Sequence, residues 1–214
     1  MRTRDVVLAT RNAGKVRELS QMLVPHAFHV IALDRFDAPD VIESAPTFVE
    51  NALLKARSAA AATGLPAIAD DSGLEVDFLD GAPGVYSARY AGANASDEQN
   101  VERLLQALAG SCGAARSARF RCAAVYLPHP LHPTPVVCQA CWEGFILQVP
   151  RGEGGFGYDS VFLDPESGLS AAELTATGKN RVSHRAQAIR ALVQALTRAR
   201  HAPSLCGQPG ADRL

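Results

Sequence analysis

The chain has 214 residues, 47% of them hydrophobic and 20% charged, with a formal net charge of -1. That length buries a core without disulfide or metal staples, and the composition is that of a globular chain. The near-neutral balance excludes the broad basic field on which nucleic-acid polymers dock, so an anionic ligand has to be held by a local cluster, which favours a small phosphate compound. No apolar run approaches the roughly 20 residues of a membrane span. Met1, Arg2 and Arg4 lead straight into Val6 to Ala9 without a long apolar segment or cleavage site, so the expectation is a cytoplasmic protein with no export signal. Cys112, Cys122, Cys138, Cys141 and Cys206 form an odd set with no second pair at zinc-ligand spacing, and read as buried or edge thiols.

In chain order, Val6 to Ala9 predicts a strand, Thr10 to Lys15 a loop, and Val16 to Leu23 a helix. Val30 to Leu33 predicts a second strand, and the polar Asp34 to Pro46 a long loop. Thr47 and Glu50 have capping-box spacing ahead of an alanine-rich helix that runs to Thr63 and stops at Gly64. Pro66 to Ala69 is a buried strand that should end on Asp70-Asp71-Ser72-Gly73, which would set two acids at a crevice. Gly81 to Gly84 is a turn, and Ser96 with Gln99 is a second capping box before a helix ending near Gly110. Arg119 to Leu127 and Pro135 to Val149, parted by the turn-rich Pro128 to Pro133, form a long hairpin. Val161 to Leu163 is a short strand, Ala171 to Leu174 a helical turn, and Ser183 an N-cap for a last amphipathic helix to Ala199. There is no internal repeat. The fold class is α/β with an elongated mixed sheet flanked by helices, one domain over residues 1–200, and a disordered tail over 201–214.

Four segments carry chemistry. Thr10, Arg11, Asn12, Ala13, Gly14 and Lys15 put a hydroxyl, an amide, a glycine and an ammonium at a helix start, the usual way to hold a phosphate chain. It is no Walker loop, since Val16 follows Lys15 and the first glycine is missing; an ordinary strand-to-helix turn is the alternative. Gly152 to Gly157 matches Gly-x-Gly-x-x-Gly but runs into a strand, so a dinucleotide fingerprint is excluded. It reads instead as a flexible loop that offers Phe156 as a stacking face for a base. Asp70 and Asp71 are adjacent on a strand and point to opposite faces, so they need different jobs. Magnesium uses one or two carboxylates to reach substrate phosphates, and a carboxylate can take a proton from attacking water. Lys179, His184 and Arg185 gather around the start of the last helix, where cations suggest an anionic or carbonyl-bearing ligand.

Thr10-x-Asn12-x-x-Lys15, Phe48-x-Glu50-Asn51-Ala52-x-x-Lys55-Ala56, Ala69-Asp70-Asp71-Ser72-Gly73-Leu74, Gly81-x-Pro83-Gly84-x-Tyr86-Ser87, Gly155-Phe156-Gly157-Tyr158-Asp159 and Ser183-His184-Arg185 stand in one order along the chain. Together they resemble the non-canonical purine nucleoside triphosphate pyrophosphatases, the inosine triphosphatase family, over roughly residues 6–197. The resemblance implies magnesium-dependent hydrolysis of inosine, deoxyinosine and xanthosine triphosphates between the α and β phosphates, by a homodimer of two-lobed subunits with a central cleft. It implies that Thr10 to Lys15 grip the triphosphate with Lys55 close by, that Asp71 is proton acceptor and metal ligand, and that Ser72 and Arg89 touch substrate. Phe156, Gly157, Tyr158, Asp159, Lys179, His184 and Arg185 would surround the purine. The chain departs from the pattern at Ser160, where many members have proline, and at Ile42-Glu43-Ser44-Ala45, where many have consecutive acids; Glu43 is the candidate second metal carboxylate.

On this reading a 6-keto purine accepts hydrogen bonds that leave an adenine amino group unpaired. Asp70 is expected to face away, supporting the turn or the outer shell of the metal. The rival readings are a pyrophosphatase for modified pyrimidine triphosphates, like the septum-inhibitor family, and a nucleotide-binding regulator without catalysis.

Overall fold

The computed structural model describes residues 3–201, and side chains only to residue 198. The expected tail, from residue 202 on, lies outside the described residues. Six strands form one mixed sheet in the order β2-β1-β3-β4-β5-β6. They are β1 (Arg4–Leu8), β2 (Phe28–Ala32), β3 (Ala67–Val76), β4 (Ser117–Leu127), β5 (Val136–Ile146) and β6 (Phe162–Leu163). β1 pairs in parallel with β2 and with β3, and every later pairing is antiparallel. The helices are α1 (Ala13–Leu23), α2 (Phe48–Thr63), α3 (Asp97–Ala107), α4 (Ala176–Val182) and α5 (His184–His201). No described helix is long and apolar enough to cross a membrane.

Local chemistry sets these boundaries. Asn12 caps α1 through its side chain, which accepts from the Lys15 amide. The Thr47 hydroxyl caps α2 at the Glu50 amide, while the Glu50 carboxylate accepts from that same hydroxyl at 2.6 Å, so only half of the expected box forms. Ser96 and Gln99 complete theirs in both directions. Gly64 ends α2 in the left-handed region, as expected. The Ser183 hydroxyl accepts from the Ala186 amide at the start of α5. Ala171 to Leu174 is a turn, and the missing helix lies just beyond it as α4, capped by Thr175.

Alternation along the strands divides the core. Val6, Leu8 and Ile68 face α1 and α5, packing with Leu19, Leu23, Ile189 and Leu192. Val7, Ala67 and Ala69 face α2, whose buried Ala52, Ala56, Ala59 and Ala60 recur at helical spacing and let the helix lie close to the sheet. Farther along β3 and β4, Leu74, Val76 and Phe120 join Leu104 of α3 with Trp142, Val161 and Phe162 in a third cluster, the core of the second lobe. α1 and α2 therefore cover opposite faces, and the chain turns to opposite sides after β1. In such sheets the crevice opens at the carboxyl ends of the strands where the direction reverses, here β1 and β3.

One expectation needs correcting. β3 does not end at the acids; it runs on to Val76, fully paired with β4. β1 is the strand that stops, covering only Ala67 and Ile68 of β3. From Ala69 onward one edge of β3 is free of a neighbouring strand, so Asp70 and Asp71 stand mid-strand yet at the crevice. Gly73 reads like a turn glycine because the turn Gly84–Arg89 packs against it: a methyl at Gly73 would collide with the Gly84 carbonyl and the Ser87 hydroxyl.

Candidate active site

The crevice is a cleft of about 420 Å³ whose walls include Thr10, Lys15, Lys55, Asp71, Phe156 and His184. At one end the Thr10 hydroxyl accepts from the Asn12 amide at 3.2 Å, and Asn12 Oδ1 from the Lys15 amide at 3.0 Å. The loop is thereby shaped before α1, whose first amides have no helical partners. Arg11 turns to the 34–46 loop, with Nε 2.9 Å from Asp40 and Nη2 donating to the Ala38 carbonyl at 2.6 Å. Asn51 of α2 anchors that loop by exchanging hydrogen bonds with both backbone groups of Ala45.

The two acids do face opposite ways. Asp71 points to the α2 side, where Lys55 Nζ lies 2.7 Å from its Oδ1 and 2.8 Å from Glu43 Oε1. Burial pushes the Asp71 carboxyl above its ordinary pKa against the pull of Lys55. Burial opposes the Lys55 ammonium too, yet Asp71, Asp70 and Glu43 raise its pKa. Asp70 points to the α1 and α5 side, its Oδ2 3.0 Å from Lys15 Nζ and 3.2 Å from Arg185 Nε. Burial again works against the charge, but Lys15, Arg185 and Lys55 hold the Asp70 carboxyl far below the usual range. Facing away from Asp71 thus does not take Asp70 to the turn. It brings together the cations expected at the two ends of a substrate.

Those cations continue into one network. Arg185 Nη2 donates to Ser72 Oγ at 3.0 Å, and its Nη1 pairs with Glu18. Lys179 Nζ reaches Glu18 at 3.0 Å and Asp159 at 2.6 Å. Both cations lie over the Phe156 ring, 5.0 Å and 5.3 Å from its centroid, on the other side of the cleft from the α2 acids. Burial first, then the Arg185 and Lys179 charges, holds the His184 pKa well below 6.5, so its imidazole is neutral. It stacks on Phe120 at 4.7 Å and 14°, and its buried Nδ1 has no hydrogen-bond partner. The glycine loop is shaped by Asp159, whose Oδ2 accepts from the Phe156 amide at 2.9 Å. Gly155 passes through φ +79°, and a methyl there would strike that carboxylate. Gly157 donates to Asp97 at 2.6 Å.

The structure thus gathers into one place the lysines, acids and base-facing residues singled out from the sequence. Four lie differently. Ala13 and Gly14 stand behind the wall as the first turn of α1, Gly14 against the Phe156 ring. Arg89 does not line the cleft: its Nη2 donates to the Glu43 carbonyl at 2.9 Å and its guanidinium covers Tyr86, so it steadies the segment that carries Glu43. Tyr158 commits its hydroxyl to the Ser87 carbonyl at 2.8 Å. Sequence reasoning missed Glu18, Asp97 and Phe120. Glu18 had a signal, since it follows Lys15 by three residues and shares its helix face. Cys138 and Cys141, an odd step apart on β5, point to opposite faces and are both free thiols.

The chain is similar to known proteins along most of its length. The dITP/XTP pyrophosphatase of Vibrio parahaemolyticus is 53% identical over 194 residues, covering 91% of this chain and 97% of that protein. The enzyme of the same name from Salmonella typhi is 54% identical over 191 residues, covering 89% and 97%. Among solved structures, a HAM1 protein from Coxiella burnetii superposes with a TM-score of 0.84 at 44% identity, covering 92% of this chain and all of that one. The Ham1 protein of Staphylococcus aureus gives 0.79 at 39%, with the same coverage. The Ham1 family model matches residues 6–195, and the chain belongs to the Ham1 family.

Proposed function

We propose that this protein hydrolyses non-canonical purine nucleoside triphosphates, deoxyinosine, inosine and xanthosine triphosphates, to the monophosphate and pyrophosphate, clearing deaminated purines from the nucleotide pool. One observation carries the reading: a single cleft joins a helix-start anion grip, a lysine-paired carboxylate of raised pKa, and an aromatic face set among buried hydrogen-bond donors. The relatives' shared name, dITP/XTP pyrophosphatase, supports it.

Thr10, Asn12 and Lys15, at the start of α1, hold the phosphate chain, with Lys55 beside it. Asp71 takes the proton of a water attacking the α phosphorus in line with departing pyrophosphate. A carboxylate whose pKa is raised toward neutrality is better suited to that transfer than one held far below, as Asp70 is. The chemistry calls for a divalent cation, and the donors fit one. Asp71 and Glu43 converge on a single point, now filled by Lys55 Nζ, and magnesium needs only one or two carboxylates when phosphates supply the rest. No larger cluster of histidine, cysteine or acidic ligands occurs among the described residues. Bound there, magnesium would neutralise the phosphates and stabilise the charge of the leaving pyrophosphate. At the base end Phe156 stacks on the purine, while Lys179, Arg185 and the free Nδ1 of His184 offer donors to a 6-keto oxygen. An adenine amino group would leave the His184 Nδ1 without an acceptor and set a donor against the two cations, which selects against it.

We further propose a homodimer in the cytoplasm, each subunit using residues 1–200 as one unit. Ile42 and Tyr86, 83% and 60% exposed, are apolar side chains available for burial in such a contact. Light scattering on the purified protein tests the dimer. The activity is tested by a panel of nucleoside triphosphates, with and without magnesium, scored for pyrophosphate against orthophosphate. Magnesium-dependent pyrophosphate from dITP and XTP, with ATP far slower, is the expected result. Equal turnover of ATP and ITP, or preference for uridine or methylated-base triphosphates, would overturn the assignment.

A further inference from the structure

The carboxylates of Asp71 and Glu43, the proposed cation ligands, converge within 2.7 and 2.8 Å of one point at the cleft wall, and carboxylates brought that close favour a positive occupant. In this fold the occupant is part of the chain. Lys55 projects from the buried stripe of α2, and its side chain is only 11% exposed. Asp71 and Glu43 come to it from β3 and from a loop that Asn51 and Arg89 pin in place. We infer that Lys55 is a built-in stand-in for the divalent cation, competing for the Asp71 and Glu43 oxygens until a nucleotide draws it away. This rests on the proposed function, whose cation ligands it takes over.

The consequence is an order of loading. An ammonium and a dication cannot share one point, so a free cation must first expel Lys55 from two charged hydrogen bonds, with only Asp70, already paired with Lys15 and Arg185, as another anion nearby. A triphosphate changes that, since Lys55 lines the same cleft and finds phosphate oxygens there. Cation and nucleotide therefore enter together, and the protein alone binds the cation weakly. The neighbouring Lys15 supplies an internal contrast: it is also a cleft lysine, but it pairs with Asp70 on the other face and does not touch Asp71 or Glu43.

The experiment is direct titration with manganese(II), followed by the electron paramagnetic resonance of the free ion, on the full chain without nucleotide. Lys55→Met should bind manganese at least about tenfold more tightly than wild type, because the competing charge is gone. Lys15→Met should gain clearly less than Lys55→Met, since Lys15 acts on Asp71 only through space and its hydrogen-bonded partner Asp70 is not a ligand. Adding Asp71→Asn to Lys55→Met should abolish the gain. Affinity in Lys55→Met equal to or below wild type, an equal gain in Lys15→Met, or a gain that survives Asp71→Asn would each overturn the inference. Should the methionine variant not fold, Lys55→Gln keeps a hydrogen-bond donor without the charge and carries the same expectation. In wild type, the α,β-methylene analogue of dITP should raise manganese affinity at least about tenfold, and no rise would count against a nucleotide-released lysine. Because the variant titrations involve no turnover, they fail separately from the activity: wild type that releases pyrophosphate from dITP while Lys55→Met gains no affinity refutes the stand-in alone.

Discussion

Exchanging each acid of the pair for its amide should break two different properties, because the two carboxylates live in opposite electrostatic settings. On the proposed mechanism Asp71 is the proton acceptor, and positioned acid-base catalysis contributes about 10²–10⁴ in rate, or roughly 3–5 kcal/mol of barrier. Asp71→Asn keeps shape and volume, so kcat for dITP should fall by at least about a hundredfold. Its stability should hardly change: the fold already disfavours the charged form of Asp71, and Lys55 keeps Glu43 at 2.8 Å. Asp70→Asn does the reverse. Its side chain is fully buried, and removing its charge leaves Lys15 and a nearly buried Arg185 short of a counter-ion. Breaking a buried ion pair from one side costs about 3–5 kcal/mol. In a chain of this size that lowers the melting temperature by roughly 6–20 °C. Pyrophosphate release measured below that melting point should still exceed that of Asp71→Asn. The assay pairs a steady-state pyrophosphate readout with thermal unfolding of the same samples. An Asp71→Asn enzyme within tenfold of wild type, or an Asp70→Asn protein that melts like wild type, would refute the division of labour.

The same network sets a pH dependence. The folded pKa of Asp70 is depressed, so its contribution is fully present above the unfolded value of about 3.9 and is lost progressively as pH falls from there toward the far lower folded value; the melting-temperature gap between wild type and Asp70→Asn should hold above about pH 5, start to narrow near about pH 4 and remain open at about pH 3. Phe156→Ala removes the stacking face, which is worth about 1–3 kcal/mol per base, so KM for dITP should rise roughly 5- to 150-fold; an unchanged KM would take the purine off that ring. Glu18→Gln leaves the paired Lys179 and Arg185 with less counter-charge, and should lower the melting temperature and weaken discrimination between ITP and ATP, read as the ratio of their kcat/KM; an unaltered ratio would make Glu18 a stabilising residue only.

How much of this the sequence disclosed depended on whether the signal was local. Thr47, Ser96 and Gly64 mark helix ends by contacts within a few residues, and they do so in the structure, whereas α1 starts at Ala13, earlier than the Val16 read from the sequence, because Asn12 caps it. The opposed facing of Asp70 and Asp71 follows from strand alternation alone and survives a wrong strand boundary. That boundary was misplaced because Gly73 serves two unrelated purposes in proteins. Sequence shows a missing side chain, while the reason for it, the carbonyl of Gly84 against the strand, lies in another segment. α4 escaped because Ala176 to Val182 includes Gly178 and Asn180, poor helix formers, and rests on a Thr175 cap and packing against α5. Arg89 was assigned by position in a pattern, yet a long flexible side chain goes where an acceptor waits, here the Glu43 carbonyl.

The charges of the cleft give the cation its physical necessity. Its ion pairs set Lys15, Lys55, Lys179 and Arg185 against Glu18, Glu43, Asp70, Asp71 and Asp159: four cations facing five carboxylates, with His184 neutral. At the base end this near balance is apt, since a neutral purine is read by hydrogen bonds, and donors already compensated for charge impose direction without a net field. At the phosphate end it is a deficit. A triphosphate brings several negative charges to a pocket with no positive surplus, and a buried anion without counter-charge is costly. The fold could have met this with more lysines, but these would also hold the pyrophosphate after cleavage. A cation that arrives and leaves with the phosphates would supply the charge only while the reaction needs it, and on the proposed reading the acid pair lets the chain accept it: Asp71 on the face that would bind it, Asp70 on the face that keeps Lys15 and Arg185 in place.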